Sequence, residues 1–433
     1  MTAAAGARPS MVALQARVFA LTWLSYATYY LTRKNFGIAK TYLEDELGIS
    51  VQTLGLIDTS MLAAYALGQF VMGSLGDALG ARRMIAFGMI ASAVTALVFG
   101  LSSWSAVFGI AFGINGLFQA TGWPNNVKAM APWFATRQRG KVMGFWCTNY
   151  QVGGIAATAL ATFVAATFGW RWAFFVPAVV VAAVGVVCLL LLVEKPQDRG
   201  LEPIEPAEEP ARSAATTTGD VARDEGKKSK AAFLEMLAIP RLWVLGLTYF
   251  GLKLIRYSLL FWLPYYLERV LHYPRETAGY LSTPFEIGGV VGAIATGWLS
   301  DRLAPNNRMR VAAPMIIGLA GALALFQAVG GLGMFANAAS MALCGFLLFG
   351  PDALISGAAA QDVGGARAAG SAAGIINGIG SLGAVLQGLI TAWIAETPGL
   401  GWGALFYMFV GLALLSGFGL LPLAFGQRTA ARA

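Results

Sequence analysis

Residues Gly73-Ser-Leu-Gly-Asp-Ala-Leu-Gly-Ala-Arg-Arg83 form a motif that occurs a second time in the chain, as Gly297-Trp-Leu-Ser-Asp-Arg302. Both copies have the form G-x-x-x-D followed by basic residues, and each copy closes an apolar stretch. The two motif aspartates, Asp77 and Asp301, are 224 residues apart. This repeat indicates that the chain consists of two halves with a common plan.

The composition is that of a membrane protein. Of the 433 residues, 57% are hydrophobic and only 12% are charged, about half the charged fraction of a soluble protein. Apolar stretches that could cross a hydrocarbon core about 30 Å thick recur along the chain, and backbone in lipid must satisfy its own hydrogen bonds. The sequence therefore predicts an all-α membrane protein with twelve transmembrane helices in two six-helix bundles, at approximate positions 14–36, 53–76, 84–103, 105–127, 141–167, 171–193, 241–267, 277–300, 311–331, 333–358, 371–394 and 401–425.

A polar stretch from Glu194 to Pro240 separates the sixth predicted helix from the seventh. It contains ten acidic residues, seven Lys or Arg and five prolines, a composition that cannot form an apolar core. We expect a flexible cytoplasmic linker here. The predicted domains are an N-terminal bundle over residues 1–193, the linker over 194–240 and a C-terminal bundle over 241–433.

Basic residues are distributed unevenly between the two sides of the predicted membrane. Most lie in loops on the side of the two termini, and the opposite loops hold four: Lys40, Arg171, Arg269 and Arg275. Cytoplasmic loops carry the excess of Lys and Arg, so we expect both termini in the cytoplasm of a multi-pass protein of the cell membrane. The net charge of +8 then reflects topology. Because the basic residues sit in separate short loops, no nucleic-acid partner is expected, and we expect a monomer.

Arg33 and Arg256 lie inside predicted spans, 44 and 45 residues before the motif aspartates of their halves. A cation at bilayer depth costs at least about 2.5–3.5 kcal/mol. Arginine presents a planar fork of donors that fits phosphate or carboxylate. A side chain that snorkels to the interface is the alternative for one such arginine, but a matched pair indicates an anionic substrate bound by both.

Several neighbours are expected to share the substrate site. Tyr26, Tyr30 and Arg33 are spaced by four and three residues, so they occupy one helix face. Lys253 precedes Arg256 by three residues and shares its face in the same way. We also expect the site to include Lys34, Trp123 and Asn126.

The motif pair, the six-plus-six helices and the long central linker resemble the major facilitator superfamily. In that family two bundles surround a central cavity, and rocking of the bundles alternates access to it. The resemblance implies that the motif residues control conformational change, although a motif aspartate in a solvated turn is the alternative. The residues concerned are Asp77, Arg82, Arg83, Asp301 and Arg302.

A narrower resemblance rests on the first and seventh helices. The run Tyr29-Tyr-Leu-Thr-Arg-Lys-Asn-Phe36 resembles the first-helix signature of organophosphate:phosphate antiporters, and Ile255-Arg-Tyr257 followed by Trp262-Leu-Pro264 is similar to their seventh helix. In that family the arginines that match Arg33 and Arg256 bind the phosphoryl group, and inorganic phosphate leaves as the organophosphate enters. The resemblance adds four residues to the expected site: Tyr65, Gln69, Tyr150 and Tyr257.

The resemblance to organophosphate:phosphate antiporters is not uniform around the expected site. Gln69 stands where glycerol-3-phosphate members carry a lysine, and Tyr150 where they carry a histidine. Residues 115–124 and Asp58 look closer to the sugar-phosphate branch. The expected substrates are therefore inorganic phosphate and a sugar phosphate or glycerol phosphate.

Charge favours exchange over one-way transport. A phosphate monoester carries about −1.5 to −2 near neutral pH, which two arginines nearly neutralise. An empty site would leave two cations without an anion, so reorientation without substrate should be hindered.

Two other functions remain open. A proton-coupled carboxylate symporter of the same fold would need a titrating acid, for which Asp58 and Asp352 are the candidates. A phosphate-sensing receptor would bind its ligand without net flux. We expect neither an enzyme nor a cofactor or metal site, because no nucleophile–base set is visible and the three cysteines lie in predicted helices: Cys147, Cys188 and Cys344.

Overall fold

The computed structural model describes residues 10–135, 142–143, 145–204, 238–304 and 307–425. Every regular element within these ranges is helical. The α-helices, in chain order, are α1 (Met11–Tyr29), α2 (Leu31–Leu47), α3 (Val51–Leu79), α4 (Ala81–Leu101), α5 (Ser105–Gln119), α6 (Gly122–Met130), α7 (Thr148–Phe168), α8 (Trp172–Leu191), α9 (Pro240–Arg269), α10 (Arg275–Leu281), α11 (Thr283–Leu303), α12 (Met309–Val329), α13 (Met334–Ala353), α14 (Ala360–Glu396) and α15 (Gly401–Phe425).

The all-α membrane architecture predicted from the sequence is confirmed. Each of the twelve predicted spans coincides with one or two of these helices. Within the described residues four spans are interrupted, at Tyr30, at residues 120–121, at Cys147 and at Ser282. Among the described residues, eight helical stretches are long and apolar enough to cross a membrane: Ala81–Leu101, Thr148–Phe168, Trp172–Leu191, Pro240–Arg269, Met309–Val329, Met334–Ser356, Ile375–Glu396 and Gly401–Phe425.

The break between α1 and α2 has a local cause. The backbone N–H of Tyr30 donates to the Ala27 carbonyl at 3.2 Å, and that of Arg33 donates to the Tyr30 carbonyl at 3.1 Å. Both bonds span three residues rather than four, which tightens the turn. The Thr28 hydroxyl also donates back to the Leu24 carbonyl, a contact that bends helices. The turn that carries Arg33 therefore begins directly after an irregular one.

The chain divides into two compact units. The first comprises residues 1–39 and 60–211, and the second comprises residues 40–59 and 212–433. Helices α2 and α3 therefore contribute to both units. The bundle boundaries at 193 and 240 stay a prediction, because residues 205–237 lie outside the described part of the chain. The beginning of the predicted linker does form structure, a 3₁₀ helix at Pro196–Arg199.

In the first unit, α1 packs against α6, α7 and α8, and α4 packs against α5 and α8. The approach of α7 to α1 is close, since a Cβ on Gly153 would lie 2.4 Å from the carbonyl oxygen of Ala27. Small residues at such contacts let helices pack where lipid supplies no hydrophobic drive between them. Trp133 is fully buried and donates its ring N–H to the Val193 carbonyl at 3.1 Å, which holds the end of α8 in this unit.

In the second unit, α9 packs against α14 and α15, α11 packs against α13, and α12 packs against α13 and α15. The contact between α11 and α13 requires glycine on both sides. A Cβ on Gly292 would lie 2.2 Å from the Phe346 carbonyl oxygen, and one on Gly345 would lie 1.9 Å from that of Phe285. Backbone contact of this kind fixes the position of α13, which carries Asp352.

The expectation that Lys40 lies in an external loop is wrong. Helix α2 extends to Leu47, and the Lys40 side chain is fully buried in the second unit. Its Nζ lies 2.5 Å from Asp58 Oδ2 and 3.4 Å from the centroid of the Trp262 ring. A buried lysine needs a countercharge, and Asp58 supplies it.

The next turn of α2 carries two carboxylates that bind arginines of the same unit. Tyr265 Oη and Arg269 Nε donate to Glu44 Oε2 at 2.9 and 3.1 Å. The Asp45 carboxylate accepts hydrogen bonds from Arg269 and Arg275. Three of the four cations predicted in external loops, counting Lys40, thus have acidic partners in the described structure.

Candidate functional site

Arg33 lies at the beginning of α2 and is only 3% exposed. Its Nε donates to Gln119 Oε1 at 2.6 Å. Its Cζ lies 4.7 Å from the centroid of the Tyr30 ring and 4.7 Å from that of Tyr65. An amide oxygen and two aromatic faces attract a cation, and these contacts orient the guanidinium.

Gln119 is oriented by a buried network that the sequence analysis missed. Its Nε2 donates to Asn115 Oδ1 at 2.7 Å and to Thr32 Oγ1 at 3.2 Å. Ser92 Oγ donates to the same Asn115 oxygen at 2.7 Å. Because both amide hydrogens of Gln119 are used in this way, its oxygen is left to face Arg33. Two amide side chains four residues apart on one helix were the available signal.

Four predicted site residues of the first unit lie together around Arg33. The Tyr26 ring lies 6.1 Å from that of Tyr30 and 5.4 Å from that of Trp123, measured between centroids. The hydroxyl oxygens of Tyr26 and Tyr65 are 3.4 Å apart. These four aromatic side chains thus lie together next to the buried Arg33 guanidinium.

The remaining predicted residues of this unit have other surroundings. Asn126 accepts a hydrogen bond from Ser25 Oγ at 2.8 Å and donates one to the Gly122 carbonyl at 2.9 Å, so its amide joins α6 to α1. Gln69 makes a long contact of 3.5 Å with the Ala120 carbonyl, which leaves it weakly held. Two more predicted residues are buried or half-buried in α2 and α7: Lys34 and Tyr150.

In the second unit, Arg256 lies in α9 and pairs with an acid. Its Nη1 lies 3.0 Å from Asp352 Oδ2, and the two side chains are 12% and 8% exposed. Its Cζ lies 4.4 Å from the centroid of the Phe349 ring and 5.7 Å from that of Tyr257. The expectation that Arg256 waits for substrate as a bare cation is therefore wrong. An acid within an apolar span was the signal for this pair, since such acids find cationic partners.

Lys253 lies one helical turn before Arg256 in the same unit. Its Nζ is 3.3 Å from Ser381 Oγ and 4.7 Å from the centroid of the Tyr249 ring. It is within electrostatic range of both Arg256 and Asp352. Two cations and one carboxylate of the described residues thus lie in one cluster.

The motif residues are described in part. Side chains are described for Arg82, Arg83 and Arg302, and those of Asp77 and Asp301 lie outside the described part. The backbone N–H of Arg82, in the first turn of α4, donates to Glu194 Oε1 at 2.9 Å. A Cβ on Gly80, whose φ is +89°, would lie 2.7 Å from that oxygen. An acid at the beginning of the predicted linker therefore caps α4, a role the sequence analysis did not assign.

Sequence relatives of the chain are transport proteins. The family model described as Major Facilitator Superfamily matches residues 22–388. A protein of Arabidopsis thaliana named as a candidate glycerol-3-phosphate transporter is 32% identical over 98% of this chain and 90% of that protein. The glucose-6-phosphate exchanger SLC37A2 of Mus musculus is 30% identical over 92% of this chain and 90% of that protein.

Solved structures share the fold at low sequence identity. A bacterial homologue of the human lysosomal transporter Spinster aligns with a TM-score of 0.69 and 17% identity, over 95% of both chains. A D-xylose–proton symporter aligns with a TM-score of 0.71 and 14% identity, over 95% of this chain and 96% of that one. At these identities the likeness shows the fold alone.

Proposed function

The chain belongs to the major facilitator superfamily, and we propose that it exchanges a phosphorylated metabolite, a sugar phosphate or glycerol phosphate, for inorganic phosphate across a membrane. Arg33 and Arg256 bind the phosphoryl group in this proposal. The observation that carries it is the matched pair of nearly buried guanidinium groups, one in the first predicted span of each half of the sequence. Such groups at membrane depth mark substrate pathways.

The surroundings of the two arginines support a phosphoryl group as the ligand. Gln119, Tyr30 and Tyr65 orient the Arg33 guanidinium through an amide oxygen and two ring faces, contacts that hold a cation in place at this position. Lys253 adds a second cation near Arg256. Planar guanidinium groups bind phosphate through paired hydrogen bonds. The relatives named for glycerol-3-phosphate and glucose-6-phosphate support the same substrate class.

Asp352 already accompanies Arg256, so an empty site holds less uncompensated positive charge than the two arginines alone would suggest. We retain exchange as the proposed mode because a relative is named as an exchanger. The other predicted substrate-site residues also remain part of the proposal: Tyr26, Lys34, Gln69, Trp123, Asn126, Tyr150 and Tyr257.

The membrane orientation, the oligomeric state and the roles of the motif residues are also proposals. The excess of Lys and Arg in the loops next to the termini supports a cytoplasmic location for both termini in the cell membrane. We propose a monomer without a nucleic-acid partner. The conformational role of Asp77, Arg82, Arg83, Asp301 and Arg302 remains a proposal that rests on the repeated motif.

A proton-coupled carboxylate symporter is the alternative. It requires a titrating acid, and the two candidates, Asp58 and Asp352, each form an ion pair. Competition against uptake of labelled phosphate into vesicles that contain the full-length protein separates the two functions. We expect glucose-6-phosphate or glycerol-3-phosphate to compete, and mono- and dicarboxylates to have no effect. Competition by carboxylates alone would contradict the proposal.

A further inference from the structure

The ion pair in the second unit is incompletely satisfied. Asp352 offers one oxygen, Oδ2, to Arg256 at 3.0 Å. Its other oxygen, Oδ1, is buried and makes no hydrogen bond within the described part of the chain. Buried polar atoms usually have partners, and an arginine–carboxylate pair is strongest when it is bidentate. The carboxylate therefore binds Arg256 less firmly than its position would allow.

Asp352 and a substrate would compete for the same donors of Arg256. A phosphate monoester brings a charge of about −1.5 to −2, whereas the carboxylate brings a single charge. Electrostatic attraction to a guanidinium grows with the charge of the anion and with exclusion of water. A doubly charged phosphoryl group therefore has an advantage over Asp352 that a singly charged anion lacks.

We propose that Asp352 is a built-in counter-anion for Arg256, which a dianionic phosphoryl group displaces and a monoanion does not. This inference rests on the proposed function, since it requires Arg256 to bind the phosphoryl group. Asp352 then determines the charge class of the substrate. Inorganic phosphate and phosphomonoesters bind, while phosphodiesters and monocarboxylates are rejected.

The backbone around Asp352 fits a side chain that changes partner. Pro351, inside α13, lacks a backbone donor, and the chain continues as a π-helix at Leu354–Ala359. Both features interrupt the regular hydrogen bonding of a helix. Ser356 Oγ donates to the Asp352 carbonyl at 2.7 Å, which holds the backbone while the carboxylate rotates.

A second cation is available to the displaced carboxylate. Lys253 interacts electrostatically with both Asp352 and Arg256. A carboxylate that leaves Arg256 can therefore remain close to a positive charge, so displacement does not leave a buried anion alone, which would be costly.

Equilibrium binding of labelled inorganic phosphate to the full-length protein in lipid nanodiscs, at mildly alkaline pH, tests the inference. Asp352→Asn keeps the shape of the side chain and removes the competing charge. We expect phosphate to bind about tenfold more tightly, the effect of one charged hydrogen bond. The control is Glu276→Gln, which removes an exposed acid in the first turn of α10 and should leave affinity unchanged.

Competition by methyl phosphate and by dimethyl phosphate adds a measurement of charge selectivity. The wild type should prefer the monoester, and Asp352→Asn should shrink that preference about tenfold. Asp352→Ser serves as a second neutral variant if the first does not fold. The inference is overturned if phosphate affinity does not rise in Asp352→Asn. It is also overturned if the wild type shows no preference for the monoester, or if Asp352→Asn leaves that preference unchanged. A wild type that binds neither phosphate nor monoester contradicts the proposed function as well, whereas normal wild-type binding with an unaffected variant contradicts this inference alone.

Discussion

The two arginines have equivalent places in the sequence but different surroundings in the structure. Arg33 is held by an amide oxygen and two tyrosine rings, whereas Arg256 is held by a carboxylate and a phenylalanine ring. In the proposed function, an anion that binds Arg256 competes with Asp352, whereas the described contacts of Arg33 are with neutral groups. The spacing of the halves predicted the pair, but it could not predict this asymmetry.

Replacement of either arginine by lysine should reduce transport by at least about tenfold. Arg33→Lys and Arg256→Lys keep the charge but lose the planar fork, and loss of a charged hydrogen bond costs about 1.5–3 kcal/mol. Uptake of labelled phosphate into vesicles measures the effect, with Arg241→Lys, an exposed position at the beginning of α9, as the matched control. Rates equal to the wild type in either variant would show that the arginine does not bind the phosphoryl group.

Gln119 offers a more specific test of whether Arg33 binds the anion. Gln119→Glu keeps the size of the side chain but places a carboxylate 2.6 Å from Arg33 Nε, so Arg33 gains an internal anion. We expect phosphate affinity to fall by about tenfold or more, the scale of one charged contact. Gln327→Glu in α12 is the control. Unchanged phosphate binding in Gln119→Glu would mean that Arg33 is not part of the anion site.

At the scale of helices, apolar length predicted the position of the spans but not their full extent. Residues 37–47 contain charged and polar side chains and therefore read as a loop, yet they continue α2. Lys40 and Asp58 neutralise each other inside protein, and hydropathy along a sequence cannot register such a pair. The acid at position 352 signalled that it has a cationic partner, but the sequence did not identify Arg256 as that partner, because the two residues are 96 positions apart.

The Lys40–Asp58 ion pair joins α2 to α3, and we expect the effects of its two residues on stability to be coupled. Lys40→Met and Asp58→Asn each leave one buried charge without its partner, which costs about 3–5 kcal/mol. The double variant removes both charges and should be more stable than either single variant, a strong coupling in a double-mutant cycle. Thermal unfolding of the purified protein in detergent measures this. Additive losses would show that the two side chains do not depend on each other.

At the scale of the whole molecule, the family and the substrate class have different support. The family is established by a model match over residues 22–388 and by relatives at 30–32% identity. The fold predicted from the repeated motif and twelve apolar stretches is confirmed. Selectivity for the organic part of the substrate depends on side chains such as Gln69, which is weakly held, and a single sequence cannot reveal what such a residue contacts when substrate is bound.

The proposed function requires exchange of phosphorylated anions across the membrane, and a transport assay measures this exchange. The full-length protein is reconstituted in lipid vesicles, and entry of labelled phosphate is followed with and without unlabelled phosphate inside. We predict rapid entry only when phosphate is present inside, and little change when a protonophore removes the proton gradient. Equal entry into phosphate-free vesicles, driven by an acidic exterior and abolished by the protonophore, would contradict the account and favour the proton-coupled symporter.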